Sequence, residues 1–136
     1  MRERQPARPT TAELQILQIL WQRGPSTVRA VHESLGRAKA VGYTTVLKLL
    51  QIMTDKGLVT RDASARPHVY RAAESQAAIL RRMVSDLVER AFGGSTVGLV
   101  LHALSGTPTT SQELDQIRRL LDEMLDKRKR RGSVCP

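Results

Sequence analysis

Residues 43–73 read YTTVLKLLQIMTDKGLVTRDASARPHVYRAA, and this stretch decides the fold. Its first part has apolar side chains at the i, i+3, i+4, i+7 spacing of one helix face, namely Val46, Leu49, Leu50 and Met53. Gly57 suits the end of that helix. Two short strand-like runs follow at residues 58–61 and 68–71, joined by a loop. A helix followed by a two-stranded hairpin predicts the recognition helix, here called the reading helix, and the wing of a winged helix–turn–helix.

Two shorter helices are predicted upstream of this stretch. Thr10 and Glu13 have the spacing of a capping box, and apolar residues recur on one face until Gly24 and Pro25 end the first helix. The second helix begins near Ser26 and Thr27 and stops near Gly36. The sequence therefore predicts a mainly α fold. Three helices and a two-stranded wing form an N-terminal winged helix–turn–helix.

The second half of the sequence predicts only helices. One runs from about residue 75 to 92, and an apolar one from 96 to 104 is expected to be buried. The last helix opens with a second capping box, Thr110 and Glu113. These helices carry apolar stripes that so short a segment cannot bury, so a homodimer is expected. The predicted dimerisation residues are Leu80, Met83, Leu87, Leu99, Leu114, Ile117, Leu121 and Met124.

Four segments are predicted along the chain. They are a flexible basic arm at 1–9, a winged-helix domain at 10–73, a helical dimerisation domain at 74–126 and a basic tail at 127–136. The formal net charge is +9, and residues 1–73 alone carry 12 basic and 5 acidic groups. The dimerisation segment, in contrast, carries 5 basic and 8 acidic groups. We call residues 1–73 the head. Its basic charge favours binding to a polyanion, although solvated arginines alone would give the same composition.

Several classes of protein find no support in the sequence. Cys135 is the single cysteine, which excludes a disulfide within the chain and a zinc site made of cysteines, so a reducing cytoplasm is expected. The three histidines stand far apart without an H-E-x-x-H pattern, and there is no phosphate-binding glycine motif. No apolar run is long enough to span a membrane. We therefore expect no enzyme activity, no cofactor, no metal and no membrane insertion.

The solvent side of the third helix is the candidate base-reading surface. Lys48 suits a guanine edge or a phosphate, Gln51 suits an adenine edge, and Leu47 suits a thymine methyl group. Arg66, at the tip of the wing, suits a phosphate or the minor groove. The alternative is that the threonines cap the helix and the basic groups are only solvated. The predicted DNA-binding residues are Tyr43, Thr44, Thr45, Leu47, Lys48, Gln51, Arg61, Arg66 and His68.

A set of short motifs resembles one known family, the BlaI/MecI penicillinase repressors. The motifs are TAEL at 11–14, ILW at 19–21, STV at 26–28, TTVLKLL at 44–50, DKGLV at 55–59 and the wing residue Tyr70. The resemblance covers about residues 9–73 well and the helical segment more loosely. It implies a homodimeric repressor that binds a pseudo-palindromic operator through the winged helix. The family's base-contacting positions fall on Thr44, Thr45, Leu47, Lys48 and Gln51.

The same resemblance bears on how repression ends. In the antibiotic-responsive branch, a membrane sensor metalloprotease triggers cleavage within the dimerisation helices. The Asn-Phe pair that is cut in that branch appears here as His102 and Ala103. Both residues at the candidate cleavage bond therefore differ from those of the branch. A copper-responsive branch uses several cysteines near its C-terminus, whereas this chain has only Cys135.

The sequence thus predicts a DNA-binding transcriptional repressor that works as a homodimer on double-stranded operator DNA. Two alternatives stay open. One is a ligand-sensing winged-helix regulator with a small molecule between the head and the helical body. The other is a winged helix used for protein–protein contact, against which Lys48, Lys56 and the basic head argue.

Overall fold

The structure is a computed structural model that describes residues 8–36 and 41–134. Residues 1–7 of the predicted basic arm, residues 37–40 between the second and third predicted helices, and Cys135 lie outside the described residues. The chain forms two compact units, Met1–Asp86 and Leu87–Pro136.

The first unit contains the predicted winged helix–turn–helix. Its helices are α1 (Thr11–Arg23), α2 (Val28–Leu35) and α3 (Tyr43–Lys56), and its strands are β1 (Ser26–Thr27), β2 (Val59–Asp62) and β3 (Val69–Ala72). Helix α4 (Gln76–Ala91) follows the wing. The three helices and the wing are confirmed. Gly57 ends α3 at a left-handed φ of 81°, where its lack of a side chain avoids strain.

The sheet has a third strand that the sequence did not predict. The strand order is β1-β3-β2, with antiparallel pairing throughout. Tyr70 on the central strand lies opposite Arg61 on one side and Ser26 on the other. Ser26 and Thr27 were interpreted as the start of a helix, and two residues are too few to show a strand period. This short strand joins the wing to the first turn of α2.

The core is aliphatic, with Tyr70 as its one fully buried aromatic residue among those described. Val46, Leu50 and Met53 of α3 are buried, as the helical spacing predicts. Ile16 and Ile79 are buried as well, although the predicted apolar faces of their helices omitted them. Both are apolar neighbours of residues that were assigned to the face, so a wider apolar stripe would have included them.

A buried carboxylate connects α1 to the end of the reading helix. Glu13 is only 2 % exposed, and its Oε1 accepts hydrogen bonds from Thr10 N at 2.8 Å and from Lys56 Nζ at 2.9 Å. The Glu13 amide donates to Thr10 Oγ1 at 3.2 Å, which completes the predicted capping box. Burial raises the pKa of Glu13, but the bonds from Thr10 and the charge of Lys56 outweigh it, and the pKa is lowered.

We expect Glu13→Gln to lower the free energy of unfolding at pH 7 by about 1–3 kcal/mol, because it weakens hydrogen bonds to a charged group. Because the pKa of Glu13 is lower in the folded state than in the unfolded state, its ionised carboxylate stabilises the fold at pH values above the unfolded-state pKa. That stabilisation is lost as the pH falls through the folded value. Urea unfolding between pH 7 and pH 3 should therefore show a shallower acid dependence in the variant. The matched control is Glu33→Gln, on an exposed carboxylate of α2, and equal effects of the two changes would contradict the prediction.

The second unit contains the end of α4 and two further helices, α5 (Thr96–Gly106) and α6 (Ser111–Val134). The capping box of Thr110 and Glu113 is present, with bonds of 3.1 Å in both directions. The expectation that α5 is buried is wrong for a single chain, because none of its residues is buried. Helix α6 also continues to Val134, eight residues beyond the predicted end of the helical segment. A basic run does not interrupt a helix, since lysine and arginine are good helix formers.

Candidate nucleic-acid interface

Helix α3 presents a polar face to solvent. Thr44, Thr45, Lys48 and Gln51 are all exposed, on the side opposite the buried Val46, Leu50 and Met53. Tyr43, in the first turn, is 48 % exposed. The exposed side of α3 is long enough to lie in a DNA groove and polar enough to form hydrogen bonds with base edges.

The alternative role of the two threonines as helix caps is wrong. The N-cap of α3 is Gly42, and no side chain caps this helix. The first amides of α3 therefore have no side-chain acceptor, and they lie at the positive end of the helix dipole. Such a helix start favours a phosphate oxygen.

Two apolar residues of α3 differ from the expectation. Leu47 was placed on the outer face, but it is half-buried and packs against the core. A thymine methyl group could reach only its exposed part. Ile52 was not assigned to the reading face, although it is 38 % exposed. It lies one position beyond Gln51, and the helical spacing of the core residues gave no reason to single it out.

The wing carries its basic residues on an ordered turn. Asp62 Oδ1 accepts hydrogen bonds from Ser64 N at 3.0 Å and from Ser64 Oγ at 2.6 Å. These bonds lower the pKa of Asp62. The turn is the kind that a carboxylate at its start stabilises. Arg61 and Arg66 are exposed, whereas His68 is half-buried.

An open cleft of about 420 Å³ lies between the wing and the starts of α2 and α3. Its walls are formed by Thr27, Val28, Arg29, Tyr43, Leu47, Pro67, His68 and Tyr70. Three of the predicted DNA-binding residues, Tyr43, Leu47 and His68, thus line one cleft. Sequence reasoning placed Tyr43 and Leu47 on the third helix and His68 on the wing, and it could not show that they share a cavity.

The described part of the basic arm contacts α4. Arg8 Nη2 lies 3.0 Å from Asp86 Oδ1, in an ion pair at the surface. Within residues 8–36 and 41–134, no group of three acidic, histidine or cysteine side chains is arranged to hold a metal ion. No helix in this part of the chain is both long and apolar enough to cross a membrane.

Comparison with known proteins identifies the family. A model of the family described as "Penicillinase repressor" matches residues 9–123. The chain belongs to the penicillinase repressor family. Its curated relatives include a protein named "Transcriptional regulator BlaI" from Mycobacterium tuberculosis, 31% identical over 82% of this chain and 81% of the relative. A "Penicillinase repressor" from Bacillus licheniformis is 19% identical over 87% of this chain and 92% of that protein. The relatives carry the names of regulators rather than of enzymes.

The match to the penicillinase repressor family extends beyond the wing into α4, α5 and α6, where apolar side chains remain in solvent. Five of the predicted dimerisation residues are exposed in the single chain, namely Leu80, Leu87, Leu114, Leu121 and Met124. The other three, Met83, Leu99 and Ile117, are half-buried. So many exposed leucines on two helices are unusual for a protein surface.

The candidate cleavage region lies within α5. His102 and Ala103 are exposed and helical. The His102 ring lies 5.3 Å from the Phe92 ring, edge to face, and its Nδ1 is 3.0 Å from the Gly98 carbonyl oxygen. Both contacts are made with the segment in its helical conformation.

Proposed function

We propose that this protein is a DNA-binding transcriptional repressor that binds a pseudo-palindromic operator as a homodimer. The observation that supports it most directly is the exposure of Lys48 and Gln51 on α3, opposite a fully buried apolar stripe. The relatives named above carry the names of a transcriptional regulator and a repressor. The basic charge of the winged-helix segment is the complement of a DNA backbone.

The contacts divide into those that read sequence and those that hold the backbone. Gln51 suits bidentate bonds to an adenine edge, and Lys48 suits guanine. Thr44, Thr45 and the uncapped first amides of α3 suit phosphate oxygens. On the wing, Arg66 is free to reach a phosphate or the minor groove beside the reading helix.

Dimerisation through the second unit completes the proposal. The apolar stripe of α6 recurs at residues 114, 117, 121 and 124, which is the 3.5-residue spacing of a helix that packs against another helix. Val97 and Leu101 of α5 are more than 60% exposed and add apolar area to the same unit. Two copies that bury these stripes would present two reading helices to successive major grooves, roughly 34–36 Å apart.

A gel shift tests the function directly. The full-length protein is titrated into fragments of its own promoter region and into random duplexes of equal length. The proposal expects a saturable shift on one or more promoter fragments that excess random duplex does not remove. Equal, weak binding to every duplex would contradict a role in specific repression. No binding even in dilute buffer would favour the protein-interaction alternative.

Salt dependence measures how many phosphates the dimer contacts. If a dimer neutralises about six to ten phosphates, log K should fall with log salt at a slope of roughly −5 to −9. Fluorescence anisotropy on an operator fragment between 50 and 300 mM KCl supplies the slope. A slope near −1 would contradict backbone contact by both heads, because one or two contacts cannot hold a dimer on its site.

We further propose that repression is lifted when the dimer is lost. One route is proteolysis by a membrane sensor metalloprotease within the region of His102 and Ala103. A protease binds an extended backbone, so α5 must unwind there first, against the contacts that His102 makes with Phe92 and Gly98. Mass spectrometry of the protein recovered from induced cells would identify the cut. An intact chain in cells whose promoter is derepressed would exclude this route.

A further inference from the structure

The cleft between the wing and the helix starts has the properties of a ligand site. Its volume of about 420 Å³ lies within the range of small-molecule pockets. The pairing of β1 with β3 creates it, because this register sets Tyr70 opposite Ser26, one residue before the cap of α2. Tyr70 and the first residues of α2 therefore line the same cleft.

The Tyr70 side chain supplies a hydroxyl group that no other described residue uses for a hydrogen bond. Tyr70 is 1% exposed. In the part of the chain that the structure describes, every buried side-chain nitrogen or oxygen has a hydrogen-bond partner. Among these residues the Tyr70 hydroxyl has no hydrogen-bond partner. Since Tyr70 lines the cleft, its hydroxyl is available to an occupant.

The polar groups around the hydroxyl favour an anion. Thr27 caps α2 by accepting from Ala30 N at 3.1 Å, which leaves the amides of Val28 and Arg29 without an acceptor inside the helix. Arg29 is exposed and lines the cleft, and so does the half-buried His68 of the wing. No acidic residue lines the cleft in the described chain, and the first turn of α2 has none. Hydrogen-bond donors and the positive charge of Arg29 thus belong to the lining of one cleft.

The rest of the wall is apolar. Val28, Leu47 and Pro67 contribute aliphatic surface, and Tyr43 adds a second aromatic ring. An inorganic phosphate ion would leave most of the cleft volume unfilled and the apolar wall exposed to water. An occupant with an apolar body and one charged end would cover both parts of the wall.

We propose that this cleft binds a small organic anion, with a phosphate or carboxylate held by Arg29, the first amides of α2 and the Tyr70 hydroxyl, and an apolar or aromatic body against Leu47 and Tyr43. The consequence for regulation rests on the proposed function. Tyr43, Leu47 and His68 are also predicted to contact DNA, so the occupied cleft and the bound operator exclude each other. The ligand would release DNA by competition within the head.

Phenyl phosphate is a suitable probe because it joins an aromatic ring to one phosphate. Calorimetric titration of the full-length protein without DNA should give saturable binding with a dissociation constant on the order of millimolar. Inorganic phosphate should bind at least about tenfold more weakly. Tyr70→Phe and Arg29→Gln should each weaken phenyl phosphate binding about fivefold or more. Arg81→Gln, which removes an exposed charge from α4, should have no effect. Equal weak signals from both anions, or no change in the variants, would overturn the site.

A second measurement separates this proposal from the proposed function. Operator binding is measured with and without 10 mM phenyl phosphate, at an ionic strength matched with KCl. A loss of operator affinity in the wild type that is clearly smaller in Tyr70→Phe would support competition. Failure of the proposed function would show instead as absent operator binding without any probe. If phenyl phosphate does not bind and Tyr70→Phe weakens operator binding, the cleft holds a phosphate of the DNA backbone and the small-molecule proposal is overturned.

Discussion

Replacing Leu121 with aspartate is expected to make the protein monomeric and to weaken operator binding by about 100- to 10,000-fold. Leu121 is 52% exposed in the single chain and lies in the middle of the apolar stripe of α6. A carboxylate at this position would have to be buried without a partner in the paired helices, which costs more than the pairing gains. Once the copies separate, each head binds one half-site alone and the avidity of the pair is lost.

Sedimentation velocity measures the oligomeric state, and anisotropy on the operator fragment measures the affinity. Gln116→Asp is the matched control, because it adds the same charge to the same helix but on the face opposite Leu121. Its dimer and its operator affinity should be unchanged. A Leu121→Asp protein that remains dimeric would remove α6 from the interface. A monomer with full operator affinity would contradict the need for two heads.

The second large effect is expected for Gln51→Ala. A bidentate contact between glutamine and adenine contributes about 1–3 kcal/mol of discrimination, and a dimer loses it twice. Operator affinity should therefore fall about 30-fold or more, and the preference at one base pair in each half-site should relax. Lys48→Ala should act in the same way at a different base pair. Both side chains are exposed, so neither change should disturb the core.

Binding of each variant to a set of operators with single base changes gives the preference directly. The control is Gln22→Ala, which removes the same side chain from an exposed position of α1. If Gln51→Ala weakens binding equally on every sequence, the residue contacts a phosphate rather than a base. Unchanged binding would show that the groove-facing surface lies elsewhere on the head.

The reading helix and the wing could be predicted because their signals are local. In α3 the apolar spacing of Val46, Leu50 and Met53 persists over two turns and Gly57 ends it, and the structure has those residues buried. The two capping boxes rest on residues three positions apart, so their bonds needed no tertiary information. The exposure of Lys48 and Gln51 follows from the same period, since the side opposite a buried stripe must face solvent.

Features that join distant segments could not be predicted in this way. Strand β1 exists only because β3 lies beside it, and two residues carry no pattern of their own. The bond between Lys56 and Glu13 spans 43 positions, and the first of these residues had been interpreted only as a basic group of the head. The exposure of α5 is a similar case. Apolar composition indicates that a surface must be covered, but not whether the same chain covers it.

The sequence by itself therefore determined the winged helix–turn–helix, the polar side of α3 and the apolar stripes of the later helices. These depend on the period of a helix, which each segment carries within itself. Only the tertiary structure decided that Tyr70 lies opposite Ser26 in the sheet, that Glu13 ties α1 to the reading helix, and that a cleft opens among Arg29, Leu47 and His68. Each of these features is a contact between residues that are far apart in the chain. Tertiary packing determines such contacts, and the local sequence pattern does not.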